Sequence, residues 1–157
     1  MSGTGKLRIA INVEGWMRKS RRLKRVMADL PKIRLGYEGN HSVLNQANSR
    51  IAEHAIAHGD EIWTFSDGTL GEMAEHLRDG LVRVARNEQK NCDAEMQELA
   101  DMAREDIFYQ ILDGKIDGPD RSPEWNTYKA AHFAAPTPNM VASREWLNSL
   151  TAELVER

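Results

Sequence analysis

Apolar and polar positions alternate with a period of two in two short stretches of the N-terminal part of the chain. KLRIAINV (6–13) and KIRLGY (32–37) each place an apolar side chain at every second position. This period, together with β-branched residues, is typical of a half-buried strand. We therefore predict strands over both stretches, with a loop at 38–40 after the second one.

Longer stretches carry apolar residues at the 3.6-residue spacing of an amphipathic helix. They predict helices over 16–30 before Pro31 and over 42–58 before Gly59, and a long helix that begins near Thr69 and continues through 94–112, with at most a kink near Asn91-Cys92-Asp93. Ser66 or Asp67 can cap the third helix, and Gly59 suits a left-handed helix end. Gly71 and Gly80 weaken the third helix by roughly 1 kcal/mol each relative to alanine. EIWTF (61–65) fits either a short strand or an extended connector.

The C-terminal part of the chain is harder to interpret from pattern alone. Residues 115–139 contain four of the five prolines, and we predict a long irregular loop, or arm, that carries Trp125, Tyr128 and Phe133. The stretch 147–155 fits a helix or a strand. Since two isolated strands are marginal in water, we favour a strand that joins the N-terminal pair.

These elements predict one α+β domain over 1–157. A small antiparallel or mixed sheet, made of the N-terminal strands and the C-terminal strand, packs against long helices, and a Pro-rich loop covers 115–139. The 157 residues are 41% hydrophobic and 29% charged, which is typical of a water-soluble globular protein. We expect neither a signal peptide nor a membrane-spanning segment. Cys92 is the single cysteine, so we expect no internal disulfide and assembly in a reducing cytoplasm.

Charge is unevenly distributed along the chain, although the net value is only −3. Six basic residues and no acidic ones lie in 17–25, whereas six acidic residues and one basic residue lie in 93–106. Opposite patches on different elements suit copies that pack head to tail. Two solvated helix faces would give the same pattern.

The candidate chemistry does not favour catalysis. MSGTGK lacks the preceding strand of a phosphate-binding loop. His54 and His58 are not part of an HExxH motif, and no third metal ligand lies at a characteristic spacing from them. Cys92 lies between Asn91 and Asp93, where acidic surroundings would raise its pKa. We therefore expect no enzymatic activity, no catalytic residue, no metal and no cofactor.

The basic run RKSRRLKR (18–25) could contact nucleic-acid phosphates in a salt-dependent way. Aromatic residues do not interleave with the run, and no known DNA-binding motif surrounds it. A solvated or subunit-facing helix is the favoured interpretation.

Four phrases, read in order, resemble the head–tail joining, or tail completion, proteins of tailed bacteriophages. KLRIAINVEGWMRKSRRLKRV (6–26) is similar to the opening strand, glycine turn and basic helix of that family. IRLGY (33–37) resembles its "VRVGY" strand, and NSRIAEHAIAHGD (48–60) resembles its "S-x-IA-x-xA-x-x-xEFG" helix. PTPNMVASREWLNSLTAEL (136–154) resembles "PPLVDTGxLxNSITxEV", with matches at Pro138, Val141, Leu147, Asn148, Ser149, Leu150, Thr151 and Glu153. Ser143-Arg144 replaces the usual Thr-Gly, and the family's Pro-Arg-Pro-Phe phrase is absent.

The resemblance implies a non-enzymatic structural part of the virion neck, assembled in the host cytoplasm. It would be a homo-oligomeric ring of about six copies that contacts connector, tail terminator or tail tube proteins. DNA would pass nearby without specific binding, and no membrane would be involved. The interface candidates are Arg18, Arg21, Arg22, Arg25, Glu95, Glu98, Asp101, Glu105, Trp125, Tyr128 and Phe133, with the basic helix meeting either the acidic helix of a neighbour or another neck protein. The alternatives are a tail terminator ring, a small DNA-binding regulator that uses 18–25, and a histidine metalloenzyme.

Overall fold

The computed structural model describes residues 5–7, 21–42, 44–115, 122–132 and 144–156. Within them the helices are α1 (Arg21–Ala28), α2 (Asn48–His58), α3 (Asp67–Ala85), α4 (Asp93–Leu112), α5 (Pro123–His132) and α6 (Glu145–Asn148). The strands are β1 (Gly5–Leu7), β2 (Lys32–Tyr37), β3 (Asn40–His41), β4 (Gln46–Ala47) and β5 (Leu150–Val155). The predicted fold class is confirmed: the protein is α+β, with a small sheet packed against helices.

The main sheet has three strands in the order β1-β2-β5. Alternation is clear in β2, where Ile33, Leu35 and Tyr37 are buried and the two side chains at Lys32 and Arg34 are exposed. The strand predicted at 6–13 is described only as far as Leu7, and the remainder of that stretch lies outside the described residues.

The predicted C-terminal strand is confirmed as β5, although it begins three residues later than predicted. The Glu38 amide donates to the Ser149 carbonyl oxygen over 3.0 Å, and the Thr151 hydroxyl donates to the Gly36 carbonyl oxygen over 3.3 Å. From Ser149 to Thr151 the bonded residue on the other side moves back from Glu38 to Gly36, so β2 and β5 run antiparallel. The helical alternative is correct only for α6, which precedes the strand.

The helix predicted over 42–58 begins too early. Gln46 and Ala47, in its first part, form β4, which pairs antiparallel with β3, so that Asn40 lies opposite Ala47 and His41 lies opposite Gln46. Asn45 takes a left-handed conformation in the turn, with φ of 48°. The helical end is confirmed, because Gly59 has φ of 101° and donates to carbonyls of the last turn. Residues 61–65 are turn and irregular backbone, so the strand alternative there is wrong.

The long helices α3 and α4 follow the predicted pattern closely. Ser66 caps α3, since its hydroxyl oxygen accepts from the Thr69 amide over 3.2 Å. The predicted continuity of this helix into 94–112 is wrong, because the chain leaves the helix after Ala85 and α4 begins only at Asp93. The inner faces are confirmed at Met73, Leu77, Leu81 and Val84 in α3 and at Met96, Leu99, Ala103, Ile107 and Ile111 in α4. The apolar stripe predicted for α3 also includes Leu70 and Ala85, but Leu70 is 40% exposed and Ala85 is exposed as well.

The prediction of irregular backbone throughout 115–139 is wrong at Pro123–His132, which form α5. Proline is favoured at the first helical position because its missing N–H is not needed there. The Ser122 hydroxyl accepts from the Trp125 amide over 3.2 Å and satisfies one of the free donors of the first turn. Residues 116–121 and 133–143 lie outside the described part of the chain.

The chain divides into two compact units. The first comprises Met1–Gly5, Gly36–Phe65 and Arg104–Thr151, and the second comprises Lys6–Leu35, Ser66–Ala103 and Ala152–Arg157. The buried core of the first unit includes Tyr37, Ile62, Ile107, Ile111, Trp146, Leu147 and Leu150. That of the second unit includes Leu23, Ile33, Leu35, Met73, Leu77, Leu81 and Leu99.

Candidate interaction surfaces

Helix α1 presents three cationic side chains on one exposed side. Leu23 is 1% exposed, and Val26 and Met27 are half-buried, so these residues anchor the helix within the second unit. Arg21, Lys24 and Arg25 are exposed at positions i, i+3 and i+4, which lie on one side of a helix. We name these three residues the basic face. Arg18, a further interface candidate, lies outside the described residues.

Arg22 is exposed but has a contact of its own inside the second unit. Its guanidinium donates to the Asn87 side-chain oxygen and, over 2.7 Å, to the Gln89 carbonyl oxygen. Both acceptors belong to the connection between α3 and α4, so this arginine ties α1 to that connection. Because both acceptors are neutral, the positive charge of Arg22 remains uncompensated there.

The other cations of α1 likewise have no carboxylate partner in the part of the chain that the structure describes. Among the described residues, no carboxylate oxygen lies within 4.0 Å of a basic nitrogen of Arg21, Arg22, Lys24 or Arg25. An exposed group of four positive charges without internal neutralisation creates a local positive potential in a chain whose net charge is −3. Such a surface attracts an anionic partner.

The first half of α4 carries exposed carboxylates. Asp93 accepts from the Asn91 side-chain amide over 2.5 Å, and Asp101 accepts from the Gln97 side-chain amide over 3.4 Å. These neutral donors leave both negative charges in place. Glu98 is exposed and lies 2.5 Å from His76 Nε2. We name Asp93, Glu98 and Asp101 of the second unit the acidic face. Glu105, also exposed, belongs to the first unit.

The structure contradicts the choice of Glu95 as an interface residue. Its side chain is buried, with 5% of the residue exposed, and Arg83 Nη2 and Gln89 Nε2 donate to its Oε1 over 2.5 and 3.0 Å. Burial by itself would raise the pKa of Glu95, but the hydrogen bonds from Arg83, the backbone and Gln89 outweigh it, so the pKa lies below its usual value. Glu95 is therefore an internal structural group of the second unit.

Two of the three aromatic candidates, Trp125 and Tyr128, lie on α5 of the first unit. The rings of Trp125 and Tyr128 stack with centroids 5.8 Å apart, and Tyr128 stacks on His132 with centroids 4.1 Å apart. The third aromatic candidate, Phe133, lies outside the described residues. Tyr128 is 39% exposed, His132 is also exposed and Trp125 is half-buried, so the helix offers a continuous stack of three rings, two of which are exposed.

Cys92 occupies a different environment from the one that its acidic neighbours suggest. The thiol is fully buried rather than part of an acidic surface. Burial, followed by the nearby charge of Glu95, raises its pKa to about 11, so the predicted direction of the shift is correct. A protonated, buried thiol is a poor nucleophile.

The remaining motifs show no assembled chemistry. His54 and His58 are exposed on α2, and within the described part of the chain no three His, Cys, Asp or Glu residues converge as metal ligands. The first four residues of MSGTGK lie outside that part. None of the described helices is long and apolar enough to cross a membrane.

Sequence reasoning missed two groupings in the first unit. The ring of Tyr37 stacks on that of Trp146, with centroids 4.3 Å apart, and lies 5.5 Å from that of Trp63. Glu145 accepts from the Ser42 amide and hydroxyl over 2.6 and 2.7 Å. Apolar periodicity marks Tyr37 as inward-facing, but no short-range signal links residues so distant in sequence.

Comparison of the chain with protein-family models, with curated proteins and with solved structures gives no match in any of the three. The described surfaces are two faces of opposite charge and a stack of aromatic rings, all of which suit contacts between macromolecules.

Proposed function

We propose that this protein is a structural component of the neck of a tailed bacteriophage, a tail completion protein that joins the head connector to the tail. It acts by assembling with sister copies into a ring of about six subunits, and its surfaces then contact neighbouring neck or tail proteins. No chemical step is part of this function. The proposal extends the family resemblance of the four phrases in the sequence.

The pairing of β2 with β5 is the observation that best supports the proposal. IRLGY forms most of β2, and the NSLTAEL phrase contributes Ser149 and the strand β5. These two phrases carry much of the resemblance, and they lie beside each other as antiparallel strands. If the two sequence matches arose by chance, nothing would favour their pairing in one sheet. Motifs shared with a family of the same fold are expected to pair in this way.

The uncompensated charges agree with an assembly role. Exposed faces of opposite sign raise the rate of encounter between complementary surfaces and select their orientation. A protein that works by recognising copies and neighbours needs such surfaces more than it needs a cleft.

Deletion of the gene from the phage that encodes it tests the proposal. We expect electron microscopy of the lysate to show DNA-filled heads and separate tails of normal length, and expression of the protein from a plasmid to restore joined particles. A tail terminator, the alternative within the same class, would instead yield tails of irregular length, since it ends tube growth. Joined, infectious particles in the deletion strain would reject both.

A DNA-binding regulator is the second candidate function, because the cations of α1 have no carboxylate partner among the described residues. It predicts that the purified protein binds short DNA duplexes and that log K falls with log salt with a slope of about −0.9 per phosphate contacted. The neck function predicts no duplex affinity of this kind. Fluorescence anisotropy with a labelled duplex at two salt concentrations separates the two candidates.

A further inference from the structure

The basic and acidic faces have matching spacings. Arg21 and Lys24 are three residues apart on α1, and Glu98 and Asp101 are three residues apart on α4. At 1.5 Å per residue both pairs are separated by about 4.5 Å along their helix axes. Two such helices laid side by side can therefore place each cation opposite a carboxylate.

Each face keeps charged groups that the described residues of its own unit do not neutralise. None of the ion pairs among the described residues joins α1 to α4, and the described donors to Asp93 and Asp101 are neutral amides. Glu98 differs from these two, since it lies 2.5 Å from His76 Nε2. Arg22 and Glu95 are different, because both make hydrogen bonds inside the second unit. The groups available to a partner are thus fewer than the full charged runs at 18–25 and 93–106.

We propose that the basic face of one copy binds the acidic face of the next copy, with Arg21 and Lys24 opposite Glu98 and Asp101 and with Arg25 beside Lys24. This inference rests on the proposed function in taking a sister copy as the partner. The two surfaces in contact are different, so each copy that is added leaves one face of each kind open. A contact of this type either closes into a ring or continues as a filament.

A second copy suits these faces better than a nucleic acid does. Duplex DNA would be attracted by the basic face but repelled by the acidic face of the same unit and by a net charge of −3. A sister copy satisfies both faces with the same contact. Charge complementarity of this kind chiefly determines orientation and association rate, so the contact is sensitive to salt.

Charge reversal in the full-length protein tests the contact. One variant carries Lys24→Glu and Arg25→Glu, and the other carries Glu98→Lys and Asp101→Lys; self-association is measured by sedimentation velocity. We expect the wild type to self-associate, and each variant alone to do so about tenfold or more weakly, because like charges then face each other. An equimolar mixture of the two variants should associate again, because the faces that meet are of opposite sign.

Matched controls separate this contact from a general effect of net charge. Arg50→Glu with Arg78→Glu changes the net charge from −3 to −7, as the α1 variant does, and Glu72→Lys with Glu75→Lys changes it to +1, as the α4 variant does. All four control positions are exposed and lie outside the two faces. We expect both controls to associate like the wild type, and association to weaken as salt shortens the Debye length from about 10 Å at 0.1 M to about 3 Å at 1 M.

Three outcomes would overturn the inference: a wild type that remains monomeric, reversed variants that associate like the wild type, or a mixture that stays dissociated. Loss of duplex binding in the α1 variant without loss of self-association would also reject it and would assign the face to DNA. Failure of the inference would leave the neck function standing, because that function is tested separately by the gene deletion. Conversely, joined particles without the gene would remove the neck function even if the charge swap worked.

Discussion

The guanidinium of Arg83 donates to the carboxylate of Glu95 over 2.5 Å, next to the connection between α3 and α4. Glu95 is buried, whereas the side chain of Arg83 keeps 43% of its surface exposed. Gln89, in the connection, donates to the same carboxylate and also to the carbonyl oxygens of Gly80 and Asn91. One buried carboxylate therefore holds the end of α3, the connection and the start of α4 together.

Replacement of Glu95 by alanine should lower the free energy of unfolding by about 1 to 3 kcal/mol, because Arg83 and Gln89 lose their charged acceptor. Chemical denaturation monitored by circular dichroism measures this change. Glu98→Ala is the matched control, since Glu98 is an exposed acid on the same helix, and we expect a change within about 0.5 kcal/mol. Equal effects of the two substitutions would contradict the structural role of Glu95.

The same carboxylate should make stability depend on acid pH. Its folded-state pKa lies below the ordinary 4.5, so the stabilisation is fully present above that value and is lost as pH falls through the lower, folded-state pKa. The stability difference between wild type and Glu95→Gln should therefore shrink below pH 4.5. A difference that stays constant through that range would show that the charge of Glu95 contributes nothing.

Glu95 illustrates which features the sequence can predict and which it cannot. The inner faces of α3 and α4 repeat at helical spacing, so local pattern alone places Leu77 or Ile107 in a core. Glu95 lies in a run of acids that all look solvated, and its burial depends on Gly80 of another helix leaving room for it. The short pair β3 and β4 likewise shows no alternation, and the order of β1, β2 and β5 depends on long-range pairing. The sequence shows the charged runs at 18–25 and 93–106. It does not show that Arg22 and Glu95 make hydrogen bonds inside the second unit.

Gly80 and Gly71 are equivalent by helix propensity but differ in their surroundings. A Cβ atom at Gly80 would lie 2.7 Å from Cγ of Glu95, whereas one at Gly71 would have nothing within 4 Å. Alanine at Gly71 should stabilise the protein by about 0.5 to 1 kcal/mol through helix propensity alone. Alanine at Gly80 has the same favourable helix propensity, but its Cβ would crowd and displace Glu95. Because overpacking of this kind costs about 1 to 3 kcal/mol, we expect Gly80→Ala to destabilise the protein overall by about 1 to 2 kcal/mol.

Thermal melts of these two variants measure the expected gain in stability for Gly71→Ala and the expected loss for Gly80→Ala. Each variant serves as the control of the other, because both exchange the same residue types within α3. The double variant Gly80→Ala, Glu95→Ala should lose much of the penalty at Gly80, since the crowded side chain is gone. Stabilisation by Gly80→Ala in the wild-type background would contradict the close approach of Glu95.

Cys92 should react slowly in the folded protein. Its pKa is raised from 9.0 to about 11, which lowers the thiolate fraction near neutral pH about 100-fold, and burial of the sulfur excludes the reagent as well. We expect labelling with Ellman's reagent at pH 8 to be at least about 100-fold slower in buffer than in denaturant. Labelling at equal rates in both would place the thiol at the surface.

The raised pKa of Cys92 should also make the stability of the protein fall at alkaline pH. The unfolded thiol ionises from about pH 9, whereas the folded thiol stays protonated up to about pH 11. The stability that the buried, protonated thiol contributes is therefore fully present below pH 9, and it is lost as pH rises through the folded-state pKa of about 11. The stability of the wild type relative to Cys92→Ala should fall over that interval, as measured by denaturation at a series of pH values.

Tyr37 and Trp146 stack on each other in the first unit, yet their polar atoms differ. Trp146 Nε1 donates to the Asn48 carbonyl oxygen over 3.1 Å, whereas the Tyr37 hydroxyl is buried without a hydrogen-bond partner among the described residues. Burial raises the pKa of Tyr37 well above its ordinary 10.0, which agrees with a hydroxyl shielded from water. A buried polar group without a partner costs free energy, and its removal recovers that cost.

Tyr37→Phe should therefore raise the free energy of unfolding by about 1 kcal/mol, because it keeps the ring stack and removes only the hydroxyl. Trp146→Phe should lower it by about 2 to 4 kcal/mol, because it loses volume in the core and leaves the Asn48 carbonyl oxygen without its donor. Denaturant titrations of the two variants beside the wild type measure both changes. A loss of stability in Tyr37→Phe would mean that the hydroxyl makes a hydrogen bond in solution, and the stack would then owe its position to that bond as well as to packing.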